Sequence, residues 1–133
     1  MSDLVADTHA AIWYFAKAPN LSIAAKTAIN DAVRQGNNIF LPTISLVEIV
    51  YLIEKGKLPF DSLPRLLQAL NDPASSFISY ELTTAIAQTM QQIPRTIVPD
   101  MPDRIIAATA LHLKLPLVTA DHKIQASQVQ TIW

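Results

Sequence analysis

Cysteine is missing from this 133-residue chain, glycine occurs twice, and neither sign of charge dominates: ten Lys and Arg face eleven Asp and Glu, for a net charge of −1. Without a thiol there can be no disulfide, no thiolate metal site and no cysteine nucleophile. With Gly36 and Gly56 as the only glycines, there is no GxGxxG and no Walker-type loop, so neither common glycine cradle for phosphate is available. Each glycine follows a helical segment, where a left-handed residue is expected to close the last turn. The near-neutral balance does not advertise a nucleic-acid binder, although a local basic rim or a bound metal would suffice. No run reaches the roughly 18 to 20 apolar residues of a membrane span. Asp3 stands where a secretory signal would carry positive charge. These absences point to a soluble cytoplasmic protein.

What is present is a core. Half the residues are hydrophobic and 16% are charged, as in a globular fold, and the length suits a single domain over residues 1–133. LVAD (Leu4 to Asp7) is predicted as a short strand, followed by a helix over THAAIWYFAKA with Thr8 as a candidate cap. A second helix runs from Ser22 to Gly36. NIFLP is a strand stopped by Pro42, and a helix runs from Thr43 to about Lys55. Then come a short helix from Asp61, a strand around Ile78, a helix over LTTAIAQTMQQI, a helix up to Lys114, a strand PLVTAD, and an edge strand VQTIW. Strands alternating with helices predict a mostly parallel sheet with helices on both faces. Ligands of such sheets bind beyond the carboxyl ends of the strands, so acids at strand ends are worth collecting.

Asp7 and Asp121 each end an apolar strand, where an aspartate can also simply start the next helix. Glu48 lies four residues from Ile44 and Leu52 and three from Tyr51, on a face that is otherwise apolar. An unpaired carboxylate there is costly unless a cation or a partner meets it. A Ser45–Glu48 capping box has the right spacing, although Thr43 is the better placed cap. In PDMPDR, Asp100 reads as an N-cap with Pro102 in the first turn and Asp103 at the third position. Capping alone does not explain why Asp7, Glu48, Asp103 and Asp121 all fall at one edge of a parallel sheet. Acids gathered without matched cations repel one another and call for a divalent ion. Oxygen donors suit magnesium or manganese. Such an ion polarises a phosphoryl oxygen and lowers the pKa of water, and two ions about 4 Å apart clamp both attacking and leaving oxygens, which favours phosphodiester hydrolysis.

DTHAAIW (Asp7 to Trp13), LPTISLVEIVYLIEKGKL around Glu48, PDRIIAATALHLKLPLVTAD (Pro102 to Asp121) and the following HKI resemble, in that order and over essentially the whole chain, a PIN domain of the VapC toxin type. The resemblance implies a three-layer α/β/α fold with a mostly parallel central sheet of four to five strands. It implies a metal-dependent endoribonuclease that hydrolyses RNA to 5′-phosphate and 3′-hydroxyl ends, using one or two magnesium ions for which manganese can substitute. Asp7, Glu48, Asp103 and Asp121 would be its catalytic and metal-binding acids, with Asp7 and Asp103 the firmest ligands. Asp100, where MP replaces the more usual Pro-Ala, would be an outer partner of the ion or only a cap. The implied partners are RNA, a small cognate antitoxin and a second copy of the chain.

Thr119 resembles the hydroxyl that flanks the last acid in this family, and would orient a carboxylate or phosphate or merely end its strand. Arg104 would reach a site carboxylate or the RNA backbone, or be a solvated helix charge. Arg95 and Lys123 flank the expected rim. His9 is read as a first-turn helix residue, and His112 and His122 as surface residues. The WYF run from Trp13 to Phe15 cannot all face one way on a helix, so one aromatic should be partly exposed, in a dimer or antitoxin groove if not in the core. Three rivals stand beside the nuclease. An aspartyl-phosphate phosphatase of the haloacid dehalogenase type needs a second Asp where His9 stands; a receiver domain needs an acidic pair after the first strand and a later lysine; a silent PIN-fold binding module would not need all four acids.

Overall fold

The computed structural model describes residues 2–133. Five strands, β1 (Leu4–Ala6), β2 (Ile39–Pro42), β3 (Phe77–Tyr80), β4 (Leu117–Val118) and β5 (Thr131–Ile132), form one all-parallel sheet in the order β3-β2-β1-β4-β5. Seven helices connect them: α1 (Thr8–Ala16), α2 (Ile23–Arg34), α3 (Thr43–Glu54), α4 (Ser62–Asn71), α5 (Thr84–Thr89), α6 (Met101–Leu113) and α7 (His122–Gln125). The expected helix over LTTAIAQTMQQI is α5 followed by a 3-10 turn at Met90–Gln92, and α7 is an element the sequence reading left unassigned.

Alternation along β1 builds the three layers. Leu4 and Ala6 enter an apolar cluster with Ala25 and Ile29 of α2, Ile49 of α3 and Leu66 of α4, while Val5 enters a second cluster with Ile86 of α5, Ile106 and Ala110 of α6 and Ile124 of α7. Helices α1 to α4 therefore share one cluster, and α5 to α7 share the other. Small residues make α6 a close-packing helix: Ala107, Ala108 and Ala110 are fully buried. At the helix ends, Gly36 and Gly56 adopt φ of +74° and +72°, as expected, but Lys17 and Lys114 also stand in the left-handed region at φ 52° and 57°. A side chain there costs about 1–2 kcal/mol.

The strand order sets the place of the site. From β1 the chain builds outward through β2 to β3, then returns to lay β4 on the other flank of β1. The switch point therefore lies between β1 and β4, and a crevice opens beyond their carboxyl ends. Asp7 follows β1 directly, and Thr119 to Asp121 follow β4.

Candidate active site

A cleft of about 380 Å³ at that switch point is lined by Asp7, His9, Ala10, Trp13, Glu48, Asp100, Asp103, Ala120 and Asp121. Among the described residues, five carboxylates meet there and no lysine or arginine lines it. Glu48, Asp100 and Asp103 each offer an oxygen within 4.8 Å of the other two.

Each acid is held by a different local device. Asp7 is 8% exposed and is the N-cap of α1: one oxygen accepts the Thr8 N–H at 2.6 Å and the other accepts the Thr119 hydroxyl at 2.5 Å. Burial raises its pKa, and those two hydrogen bonds work against the rise. Asp121 is the N-cap of α7 and accepts the N–H groups of Lys123 (2.8 Å) and Ile124 (3.1 Å), while its own N–H donates to Thr119 Oγ1 at 3.0 Å. Thr119 thus ties the acid after β1 to the acid after β4. Asp100 caps α6, accepting the Asp103 N–H at 3.3 Å, and is exposed.

Glu48 has the partner that its apolar surroundings demand. The Thr8 hydroxyl lies 2.6 Å from Glu48 Oε1 and 2.8 Å from the fully buried Ser45 Oγ. This corrects two expectations. Thr8 is not a cap but the first helical residue, with Asp7 capping in its place; Ser45 bonds to Thr8 rather than forming a capping box, and α3 starts at Thr43, with Pro42 in the N-cap position and no side-chain cap. Desolvation raises the Glu48 pKa, the Thr8 bond lowers it, and Asp7 and Asp100 add repulsion.

Asp103 is the acid the protein itself leaves least compensated. Its pKa is pushed up to about 8, first by burial, then by the charges of Asp121, Asp100 and Asp7, and by a side-chain hydrogen bond with Asp121. Without a cation, burial and the neighbouring acids therefore favour the protonated form of Asp103 at neutral pH. A donor set made only of carboxylate oxygens fits magnesium or manganese and not zinc, which prefers nitrogen and sulfur.

Arg104 is corrected as well. Its guanidinium donates to the carbonyls of Ile93 (3.1 and 2.9 Å) and Met90 (2.8 Å), so it fastens the end of the 3-10 turn to α6 and is spent before reaching the cleft. Arg95 and Lys123 are exposed and do not line the cleft, and His112 and His122 are exposed as expected. The residues that sequence reasoning passed over are His9 and Trp13, which do line it. Their rings lie 5.4 Å apart, and Trp133 packs behind Trp13 at 5.9 Å. The available signal was the four-residue spacing from His9 to Trp13, which places both on one side of α1.

This order of acids on a five-stranded parallel sheet can be set against known proteins. A model of the PIN domain family matches residues 4–128. The chain belongs to the PIN domain family. It is 29% identical over 136 residues to Ribonuclease VapC22 of Mycobacterium tuberculosis, all of both chains being covered. Among solved structures, that of VapBC2 from Rickettsia felis bound to a promoter DNA fragment superposes with a TM-score of 0.72 at 16% identity, covering 97% of this chain and 96% of the other. A toxin–antitoxin complex from Klebsiella pneumoniae gives 0.65 at 22% identity, covering 98% and 96%. At such identities the solved structures bear on the fold, and they agree with the three layers described above.

Proposed function

We infer that this PIN domain is an endoribonuclease that hydrolyses RNA phosphodiester bonds with magnesium or manganese, and that it is the toxin of a VapBC-type pair. The observation that carries the reading is the cleft of five acids at the β1/β4 switch point, where burial and the neighbouring acids raise the pKa of Asp103. The full-length similarity to a VapC ribonuclease supports the chemistry, and the likeness to toxin–antitoxin complexes supports a small antitoxin partner. No helix among the described residues is long and apolar enough to cross a membrane, in keeping with a cytoplasmic role.

Glu48, Asp100 and Asp103 would hold the ion, with Asp7 and Asp121 completing its surroundings. When bound, the ion supplies Lewis-acid polarisation of a phosphoryl oxygen and a more acidic water. The chain's own residues do the rest. Asp7, clamped through both oxygens by Thr8 N–H and the Thr119 hydroxyl, is held in one orientation at the end of β1. Thr8 sets the rotamer of Glu48 from the neighbouring helix. The raised pKa of Asp103 means that its carboxyl would have to lose its proton to serve as a ligand, so cation affinity is expected to rise with pH. Two copies of the chain and the toxin's partner belong to the same reading.

Purified protein freed of any partner is expected to cleave single-stranded RNA in magnesium or manganese, and Asp103→Asn to lower kcat/KM by about 10²–10³-fold, the scale of removing a group that stabilises developing charge. Cleavage that survives both chelation and the substitution would overturn this mechanism.

A further inference from the structure

Helix α1 and its C-cap carry a stripe that leads out of the acid cleft. His9 and Trp13 on the helix and Lys17 at its cap recur at four-residue intervals. His9 and Trp13 line the acid cleft, whereas Trp13 and Lys17 line a second hollow of about 400 Å³ between α1 and α2, so the indole is a wall of both. Tyr14, Lys26 and Asn30 also line that hollow, and the Tyr14 hydroxyl donates to Asn30 Oδ1 at 2.9 Å, which holds its two helices together. His9 is exposed, and Trp133, packed against the core, braces Trp13 from behind. Lys17 and Lys26 are exposed, and neither makes an ion pair with another described residue.

We propose that single-stranded RNA leaves the acid cleft across a stacking platform of His9 and Trp13 and enters the α1–α2 groove, where Lys17 and Lys26 take its phosphates. The proposal rests on the ribonuclease reading and deepens it. The need for such a track follows from charge. Five acids line the cleft and the whole chain is at −1, so affinity for a polyanion has to come from cations beside the cleft rather than from the chain as a whole. Lys17 and Lys26 are the cations of the neighbouring hollow, which shares Trp13 with the cleft as a wall. Eight positions separate His9 from Lys17, the C-cap of α1, on the order of 12 Å at 1.5 Å of helical rise per residue, a span that a short piece of single strand can bridge. Aromatic faces grip any base, which gives a hold that does not depend on sequence.

The test uses the Asp103→Asn chain as a non-cleaving parent, with a fluorescently labelled oligouridine as probe, and measures anisotropy over a series of salt concentrations in magnesium. Replacing Lys17 and Lys26 together by Ala is expected to weaken binding and to reduce the slope of log K against log salt by about 1.4, at about 0.7 per phosphate released. Trp13→Leu is expected to weaken binding at least about fivefold with the slope unchanged, and to remove the quenching of indole fluorescence on binding. Lys57→Ala, outside the groove, should change neither quantity. Should Trp13→Leu not fold, His9→Ala and the lysine pair, all on exposed side chains, carry the test. A lysine pair that binds with the parent's affinity and slope overturns the track, and that is the result expected if the groove serves a protein partner instead. If the parent binds no RNA and the wild-type chain cleaves none, the ribonuclease reading fails and the track falls with it; if the wild-type chain is active and the variants bind unchanged, only the track is overturned.

Discussion

Val5 and Asp7 stand two residues apart, both buried, yet they belong to regions with opposite energetics. Around Val5, the sheet interior is satisfied: Ile106, Leu117 and Ile124 are fully buried, and among the described residues every buried side-chain nitrogen or oxygen has a hydrogen-bond partner. Around Asp7, the carboxyl edge of the same strands gathers five acids without a cation. The interior holds the fold together, and the edge works against it. The same backbone can do both because the pleat alternates side chains between two apolar layers only while the strand lasts; where the strand stops, the next side chain faces the crevice.

The largest expected break in this comparison comes from the interior. Ile106→Ala should lower unfolding stability by about 2–5 kcal/mol, measured by urea denaturation, because the small neighbours on α6 cannot collapse into the cavity. The acid edge should respond in the opposite direction: Asp103→Asn, so damaging to activity, is expected to leave the metal-free protein at least as stable as the parent at neutral pH. A loss of several degrees in Tm would contradict the picture of an uncompensated acid.

Thr8 lies on the boundary between the two regions. Thr8→Val removes the partner of Ser45 and Glu48 and should cost about 1–3 kcal/mol in stability, together with about 10-fold or more in magnesium affinity by calorimetry, as expected when a residue that orients a ligand is lost. Thr8→Ser should restore both. Wild-type metal affinity in Thr8→Val would separate Glu48 from the ion.

The pH dependence carries the same contrast. The folded Asp103 has its pKa raised from 3.8 to about 8, so the folded state binds more protons than the unfolded chain between those values, and the stability of the metal-free protein should fall as pH rises from 4 to 8 and level off above. Asp103→Asn should flatten that slope in a series of thermal melts. The smallest effect expected is at the far end of α6: Lys114→Gly relieves a left-handed backbone at φ 57° and should raise stability by about 0.5–1 kcal/mol, with activity untouched.

Much of this organisation was legible beforehand, for reasons that differ from element to element. The strand–helix alternation and the chain order of the acids follow from local patterns, so β1 to β5, the acids after β1 and β4 and the Asp100 cap of α6 were all in reach. Glu48 stood out because a lone acid on an apolar helix face needs a partner, but the partner could not be named. Thr8 is 40 residues away, and nothing local distinguishes a hydroxyl that caps its own helix from one that crosses to another. Arg104 was open for the same reason. A guanidinium beside a site acid reads as its ligand, as a contact to RNA or as a solvated charge, whereas the carbonyls left open by the 3-10 turn at Met90–Gln92 claim it first.

By itself the sequence determined which faces are apolar, where strands stop, and that acids follow them, because hydrophobic period and turn chemistry are properties of neighbours along the chain. Only the tertiary structure decided which acids share a cleft, that Thr8 and Thr119 hold two of them, and that burial beside Asp121, Asp100 and Asp7 raises the pKa of Asp103. Those are consequences of the strand order that sets β4 beside β1, a long-range choice that brings residues more than 90 positions apart into electrostatic contact.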